Sequence, residues 1–207
     1  MNSGNLEIEP FPFVVSAPSG TGKTTILGLL VERDPTLEHV VSTTTRKPRE
    51  VAGDGRDYHF VDQKTFTEMI DRGEFVEWAR VFRDLYGTTV EALEGVMKRG
   101  RTPVMDLDVQ GADLLRRAYP ASVTVFIAPP SLEALRDRLK NRRTESGEDL
   151  DVRLKTAVDE LKRVDEYNYL VINDKIDETV ERVESILTAE KSRLGRIELK
   201  DLQNWII

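Results

Sequence analysis

The 207-residue chain has no cysteine, which removes disulfide frameworks and thiolate metal centres from consideration. It has only two histidines, His39 and His59, and neither has a neighbour at metal-ligand spacing, so both read as structural. Long apolar runs are also missing, and no stretch approaches membrane-spanning length. Met1 to Pro10 carries two glutamates and no basic residue, unlike a signal or transit peptide. The expectation is a soluble cytoplasmic protein with no membrane partner. Positive charge is not in excess either: the formal net charge of −7 argues against a broad nucleic-acid surface, which requires many cations. A small phosphorylated ligand remains compatible, because a local cluster of donors suffices for it. Gly and Pro are not over-represented, and 39% hydrophobic residues over this length support one core and one domain.

The chain is organised around residues 13–25, Phe-Val-Val-Ser-Ala-Pro-Ser-Gly-Thr-Gly-Lys-Thr-Thr. A short apolar run between Pro12 and Pro18 reads as a buried strand, followed by a Gly-rich turn and a helix-like segment. This is the setting of a phosphate loop made of Ser19, Gly20, Thr21, Gly22, Lys23, Thr24 and Thr25. The two glycines let backbone N–H groups turn toward anionic oxygens, and the helix N-terminus adds partial positive charge. Lys23 then reaches the β- and γ-phosphates, and Thr24 offers a hydroxyl to Mg²⁺.

Strand-like runs at Phe13 to Ala17, His39 to Ser42, Pro103 to Leu107, Val123 to Ala128 and Tyr169 to Ile172 alternate with helix-like segments. The helices are expected at Lys23 to Glu32, Val90 to Arg99, Val109 to Ala118, Leu132 to Asn141, Leu150 to Glu166 and Thr179 to Leu194. Such alternation predicts an α/β fold, a parallel sheet covered by helices, with ligands at the carboxyl ends of its strands. Residues 43–89 break the rhythm with polar turns, a short helix at Thr65 to Arg72 and a period-2 stretch from Phe75 to Phe82, which reads as an inserted lobe with antiparallel strands. Residues 141–149 are too polar to pack, and Trp205, Ile206 and Ile207 are expected to dock on the body or a partner.

Four further clusters carry chemistry. Asp106 and Asp108 end an apolar strand two residues apart and so face one side; alone they read first as helix-capping aspartates, and beside a phosphate loop as a Mg²⁺ site. Arg46, Lys47 and Arg49 lie around Pro48, where at least two can converge on one anion, although a solvated basic loop has the same composition. Glu77 alternates with Phe75, Ala79 and Val81; a carboxylate among apolar neighbours needs donors, and guanine supplies a parallel pair in N1–H and its exocyclic amine, whereas adenine lacks N1–H. A solvent-facing strand position is the equal alternative. Arg138 and Arg142, four apart, with Arg153 beyond the polar loop, either close over transferring phosphates or form a charged solvent face.

The motifs S-G-T-G-K-T, S-T-T-T-R-K-P-R, G-R-D-Y-H-F, F-V-E-W-A, Y-G-T, M-D-L-D-V-Q-G, R-L-K-N-R and V-I-N-D occur in an order that resembles the guanylate kinase family from Phe13 to about Leu187. That resemblance implies transfer of the ATP γ-phosphoryl to GMP, with dGMP as a related acceptor and Mg²⁺ as cofactor. It implies one domain over residues 6–207: a core (6–42, 100–135, 155–207), a GMP-binding lobe (43–99) and a lid (136–154). By position, Ser42, Arg46, Arg49, Tyr58 and Tyr86 resemble the monophosphate-binding residues, and Glu77, Thr88 and Asp106 the guanine contacts. Arg138, Arg142 and Arg153 resemble the lid and transition-state arginines, with Lys23 also catalytic. Asn173 resembles the residue near adenine, and Asp108 one that organises Mg²⁺. Ala17 stands where the family usually has Gly, Leu85 where an aromatic often precedes Tyr-Gly, and Thr25 replaces a common variant. Two rivals compete with this reading: a catalytically silent interaction module of the same fold, and a same-fold kinase for another phosphorylated small molecule.

Overall fold

The computed structural model describes residues 8–48, 58–81, 83–140 and 147–197. Arg49, Arg142 and the terminal Trp205, Ile206 and Ile207 lie outside the described residues. In chain order the elements are β1 (Phe13–Ser16), α1 (Lys23–Arg33), β2 (Leu37–His39), β3 (Thr43–Thr44), β4 (His59–Phe60), α2 (Gln63–Asp71), β5 (Phe75–Val81) and β6 (Asp84–Thr89). They continue with α3 (Val90–Lys98), β7 (Thr102–Asp106), α4 (Val109–Ala118), β8 (Val123–Ala128), α5 (Leu132–Lys140), α6 (Gly147–Leu161), β9 (Tyr169–Ile172) and α7 (Ile176–Lys191).

Five strands form one sheet in the order β2-β7-β1-β8-β9, and every pairing in it is parallel. Each segment foreseen as a sheet strand joins it. β1 lies in the centre, and all four of its residues are buried, which is why its run is continuously apolar instead of alternating. Phe13 and Val15 face a cluster with Ile26, Leu30, Val180 and Val183 of α1 and α7. Val14 faces the opposite cluster, with Met105 and with Leu93, Val96 and Leu115 of α3 and α4. Helices therefore cover both faces of the sheet.

The inserted lobe carries its own four-stranded mixed sheet, β4-β3-β6-β5. β5 and β6 are antiparallel, with a register slip between Phe75 and Glu77. Thr44 anchors β3 to β6 by donating from Oγ1 to Leu85 O at 2.9 Å. α3, within the expected lobe 43–99, packs on the core sheet. α6 runs unbroken across 154/155, joined to α5 by Leu135, Leu139 and Ala157.

Some element ends differ from expectation. The second sheet strand is Leu37–His39, earlier than His39 to Ser42, because Leu37 is buried and aligns with Thr102 of β7. α6 stops at Leu161, short of Glu166, where Arg163 donates two hydrogen bonds, of 2.8 and 2.7 Å, to Glu166 and a 3₁₀ turn replaces the helix. α7 starts at Ile176 instead of Thr179, which brings Asp177 and Glu178 into its first turn, where negative charge favours the helix dipole.

Candidate active site

The carboxyl end of β1 feeds the phosphate loop. Gly20 and Gly22 have φ of 87° and 90°, a left-handed conformation that costs other residues energy. Gly22 occupies the N-cap of α1, makes no side-chain cap bond, and is followed by no acidic residue in the first turn. The helix start thus offers its backbone donors and dipole to an external anion. Lys23 Nζ lies 2.5 Å from Asp106 Oδ1 and 3.4 Å from Leu107 O. Asp106 sits on the adjacent strand, opposite Val15, so the sheet register sets this ion pair.

Behind the loop stands a second layer. Asn173, only 1% exposed, donates from Nδ2 to Thr21 O at 2.5 Å and accepts from Thr179 Oγ1 at 2.9 Å. Arg138 donates from Nη2 to the carbonyls of Asn173 and Asp174, at 3.1 and 3.3 Å. Neither Arg138 nor Asn173 lines the cleft. Asn173 braces the loop from the end of β9, and Arg138 holds the chain just after β9. Arg153 does reach the loop: its Nη1 donates to Ser19 Oγ at 3.0 Å. Thr25 is exposed on α1, outside the cleft lining.

One cleft of about 760 Å³ joins the loop to the inserted lobe. Ser42, Tyr58, Glu77 and Tyr86 line its far part, while Ser19, Lys23, Thr24, Asp106 and Asp108 line the near part. The rings of Tyr58 and Tyr86 meet edge-on, 6.0 Å apart, and the Arg46 guanidinium lies 5.3 Å over the Tyr58 ring. Arg46 is held by its own backbone, since its N–H donates to Thr44 Oγ1 at 3.1 Å. Burial raises the Tyr86 hydroxyl pKa, partly offset by the Arg46 charge.

Glu77 is 4% exposed and stands opposite Thr88 across the β5–β6 ladder. Burial pushes its carboxyl up to about 7; the Asp108 charge adds to the rise, and the side chain and amide of Thr88 oppose it. Thr88 Oγ1 is buried as well. A buried carboxylate is costly unless donors meet it, and the Thr88 hydroxyl and amide beside Glu77 supply part of that compensation.

Asp108 caps α4: its Oδ1 accepts from the N–H groups of Gln110 and Gly111 at 3.1 and 2.8 Å. The capping role read from the sequence is therefore real, and the residue also faces the cleft. Among the described residues no group of three His, Cys, Asp or Glu side chains is placed to hold a metal alone. A Thr24 hydroxyl and an Asp108 carboxylate beside a phosphate site fit Mg²⁺, which takes one or two protein oxygens and completes its shell with phosphate and water.

Further cleft residues carry no expectation from the sequence. Thr156 and Glu160 lie on the face of α6 that carries Arg153; with them Asp159, and Arg163 just past the end of α6, line the cleft. Burial lifts the Glu160 carboxyl to about 7, with the Lys23 charge opposing and the Asp108 charge adding. The helical period from Arg153 to Glu160 was the available signal.

A phosphate loop at the switch point of a parallel sheet, opening through one cleft on a second, aromatic and arginine-bearing pocket, defines a P-loop nucleoside monophosphate kinase. The family model for guanylate kinase matches residues 9–190. Guanylate kinases from Caldanaerobacter subterraneus subsp. tengcongensis and Rhodopseudomonas palustris are similar at 43% and 48% identity. These alignments cover 88% and 89% of this chain and 89% and 84% of the relatives. The crystal structure of guanylate kinase from Anaplasma phagocytophilum superposes with a TM-score of 0.77 at 32% identity over 95% of each chain. The chain belongs to the guanylate kinase family.

Proposed function

We infer that this cleft brings ATP and GMP end to end, the γ-phosphoryl of ATP passing to a phosphate oxygen of GMP to give ADP and GDP. Buried Glu77, facing the same cavity as the Lys23 loop, is the observation that carries the reading. The backbone of residues 19–24 and Lys23 bind the donor phosphates, with Asn173 holding the loop in shape. Arg46, Arg49, Ser42, Tyr58 and Tyr86 bind the acceptor phosphate. Glu77 accepts from guanine N1–H and the exocyclic amine, helped by Thr88 and Asp106, and dGMP fits the same contacts. Arg153 spreads positive charge over the transferring group, Arg142 is assigned the same task, and Arg138 supports them through the loop.

Thr24 and Asp108 would hold Mg²⁺, which when bound neutralises charge on the β- and γ-phosphate oxygens. Because the acceptor is already an anion, the protein needs no strong general base; its work is positioning and charge stabilisation. Cations from separate segments must converge on two polyanions, so closure of lobe and lid over both is expected, excluding water and limiting ATP hydrolysis. The same reading places the enzyme in the cytoplasm, where both nucleotides are available. No described helix is long and apolar enough to cross a membrane.

A coupled assay with ATP and Mg²⁺, run side by side on GMP, dGMP, AMP and a phosphorylated ribose, tests the assignment. Turnover of GMP and dGMP with little on the others is expected. Equal use of AMP by the wild-type protein removes Glu77 as the base reader, and unchanged GMP turnover in Arg46→Ala removes the phosphate pocket.

A further inference from the structure

Gly111, in the first turn of α4, ends the M-D-L-D-V-Q-G motif, and the reading above uses only its backbone N–H, as a donor to Asp108. Its φ is not positive, so its backbone asks for no glycine, and alanine there would be the better helix former. Space is the difference. A methyl group built on Gly111 meets Glu77 Oε2 at 2.7 Å and Glu77 Cδ at 3.4 Å; at Gly28 it meets nothing within 4 Å, and at Gly95 only the Arg99 guanidinium at 3.5 Å. The Glu77 carboxylate therefore fills the volume where α4 has no side chain. A second glycine bounds the same residue: a methyl on Gly87, in β6, meets the Phe75 ring at 2.7 Å and Glu77 O at 2.9 Å.

We propose that Gly111 is a specificity-determining position, a gap in α4 that seats the Glu77 carboxylate against the core and sets where the guanine edge is met. The proposal rests on Glu77 being the base reader. It also couples the inserted lobe to the core, since the carboxylate from β5 and the gap from α4 have to coincide.

The test is a double-mutant cycle of Gly111→Ala with Glu77→Ala, measuring KM and kcat for GMP and AMP, KM for ATP, and melting temperature. Gly111→Ala alone should raise KM for GMP roughly 10- to 100-fold, the scale of a displaced binding group, and lower the GMP-to-AMP preference while KM for ATP stays unchanged. On the Glu77→Ala background the same substitution should do nothing further, because the colliding side chain is gone. A melting temperature lowered by Gly111→Ala and restored by Glu77→Ala supports the steric pairing equally. Retained GMP preference in Gly111→Ala, or an equal loss on both backgrounds, overturns the proposal. A Glu77→Ala enzyme that still prefers GMP to AMP overturns the base-reader assignment instead, so the two failures are distinct.

Discussion

The two halves of the cleft are built on opposite plans. At the phosphate loop the groups already have partners: Lys23 meets Asp106, Asn173 holds the Thr21 carbonyl, and Arg153 meets Ser19. In the far part of the cleft, burial raises the Glu77 carboxyl to about 7, with the Thr88 hydroxyl and amide offsetting part of the rise. The phosphate loop is thus tied to its neighbours through donors already in place. On the proposed function, phosphate affinity would draw on that preorganisation, and base selectivity on the cost of leaving the buried Glu77 carboxylate without enough donors.

The comparison breaks most visibly at Lys23. Lys23→Ala should lower kcat by about 10²- to 10³-fold, as loss of one preorganised charge does, and single-turnover phosphoryl transfer measures it. Loss of GMP binding with normal ATP handling would place Lys23 in the wrong half. Next in size, Glu77→Gln should cut kcat/KM for GMP by about 10- to 100-fold, the loss of a hydrogen bond to a charged group. Its effect should shrink for IMP, whose base lacks the exocyclic amine, and KM for ATP should hold.

The third effect is in pH. On the proposed role of Glu77 as an ionised guanine acceptor with its carboxyl raised to about 7, KM for GMP should fall about tenfold between roughly pH 6 and pH 8, beyond any change that persists in Glu77→Gln. Stability of the ligand-free protein runs the other way. A carboxyl whose folded pKa is raised stabilises below its ordinary value, and that contribution is lost as pH climbs toward the folded value. Glu77 and Glu160, both raised to about 7, therefore weaken the free enzyme between about pH 4.5 and pH 7. Denaturant titrations across that window should show a flatter slope in Glu77→Gln; an unchanged slope would mean Glu77 is not the titrating group.

The smallest effect sharpens the donor half. Asn173→Ala removes the donor to the buried Thr21 carbonyl, while the Thr179 hydroxyl keeps Lys175 O as its acceptor; the loss costs about 1–3 kcal/mol. That should lower the melting temperature by several degrees and raise KM for ATP a few-fold, with GMP selectivity intact. Altered base selectivity would make Asn173 more than a brace.

Much of this was legible from residue order. The phosphate loop is a contiguous run whose glycines, lysine and threonine have fixed local tasks, and the sheet strands announced themselves as short apolar runs. Glu77 was legible as a carboxylate among alternating apolar residues, although its burial was not. Arg138 and Asn173 resembled ligand-facing groups; the fold sets Asn173 against the Thr21 carbonyl and Arg138 against the carbonyls of Asn173 and Asp174, which residue order could not show. Glu160 escaped notice because a glutamate on a charged helix has the same local pattern whether it faces water or a cleft.

By itself, the order of residues determined the local chemistry: a loop able to bind phosphate, strands with the right period, and carboxylates and arginines of the right types. Only the tertiary structure decided which groups share an environment, because parallel pairing aligns Asp106 with β1 and packs α4 against β5. Pairing Lys23 with a strand more than eighty residues away, and seating buried Glu77 against Gly111, depends on the low dielectric and close packing that exist only once distant segments meet.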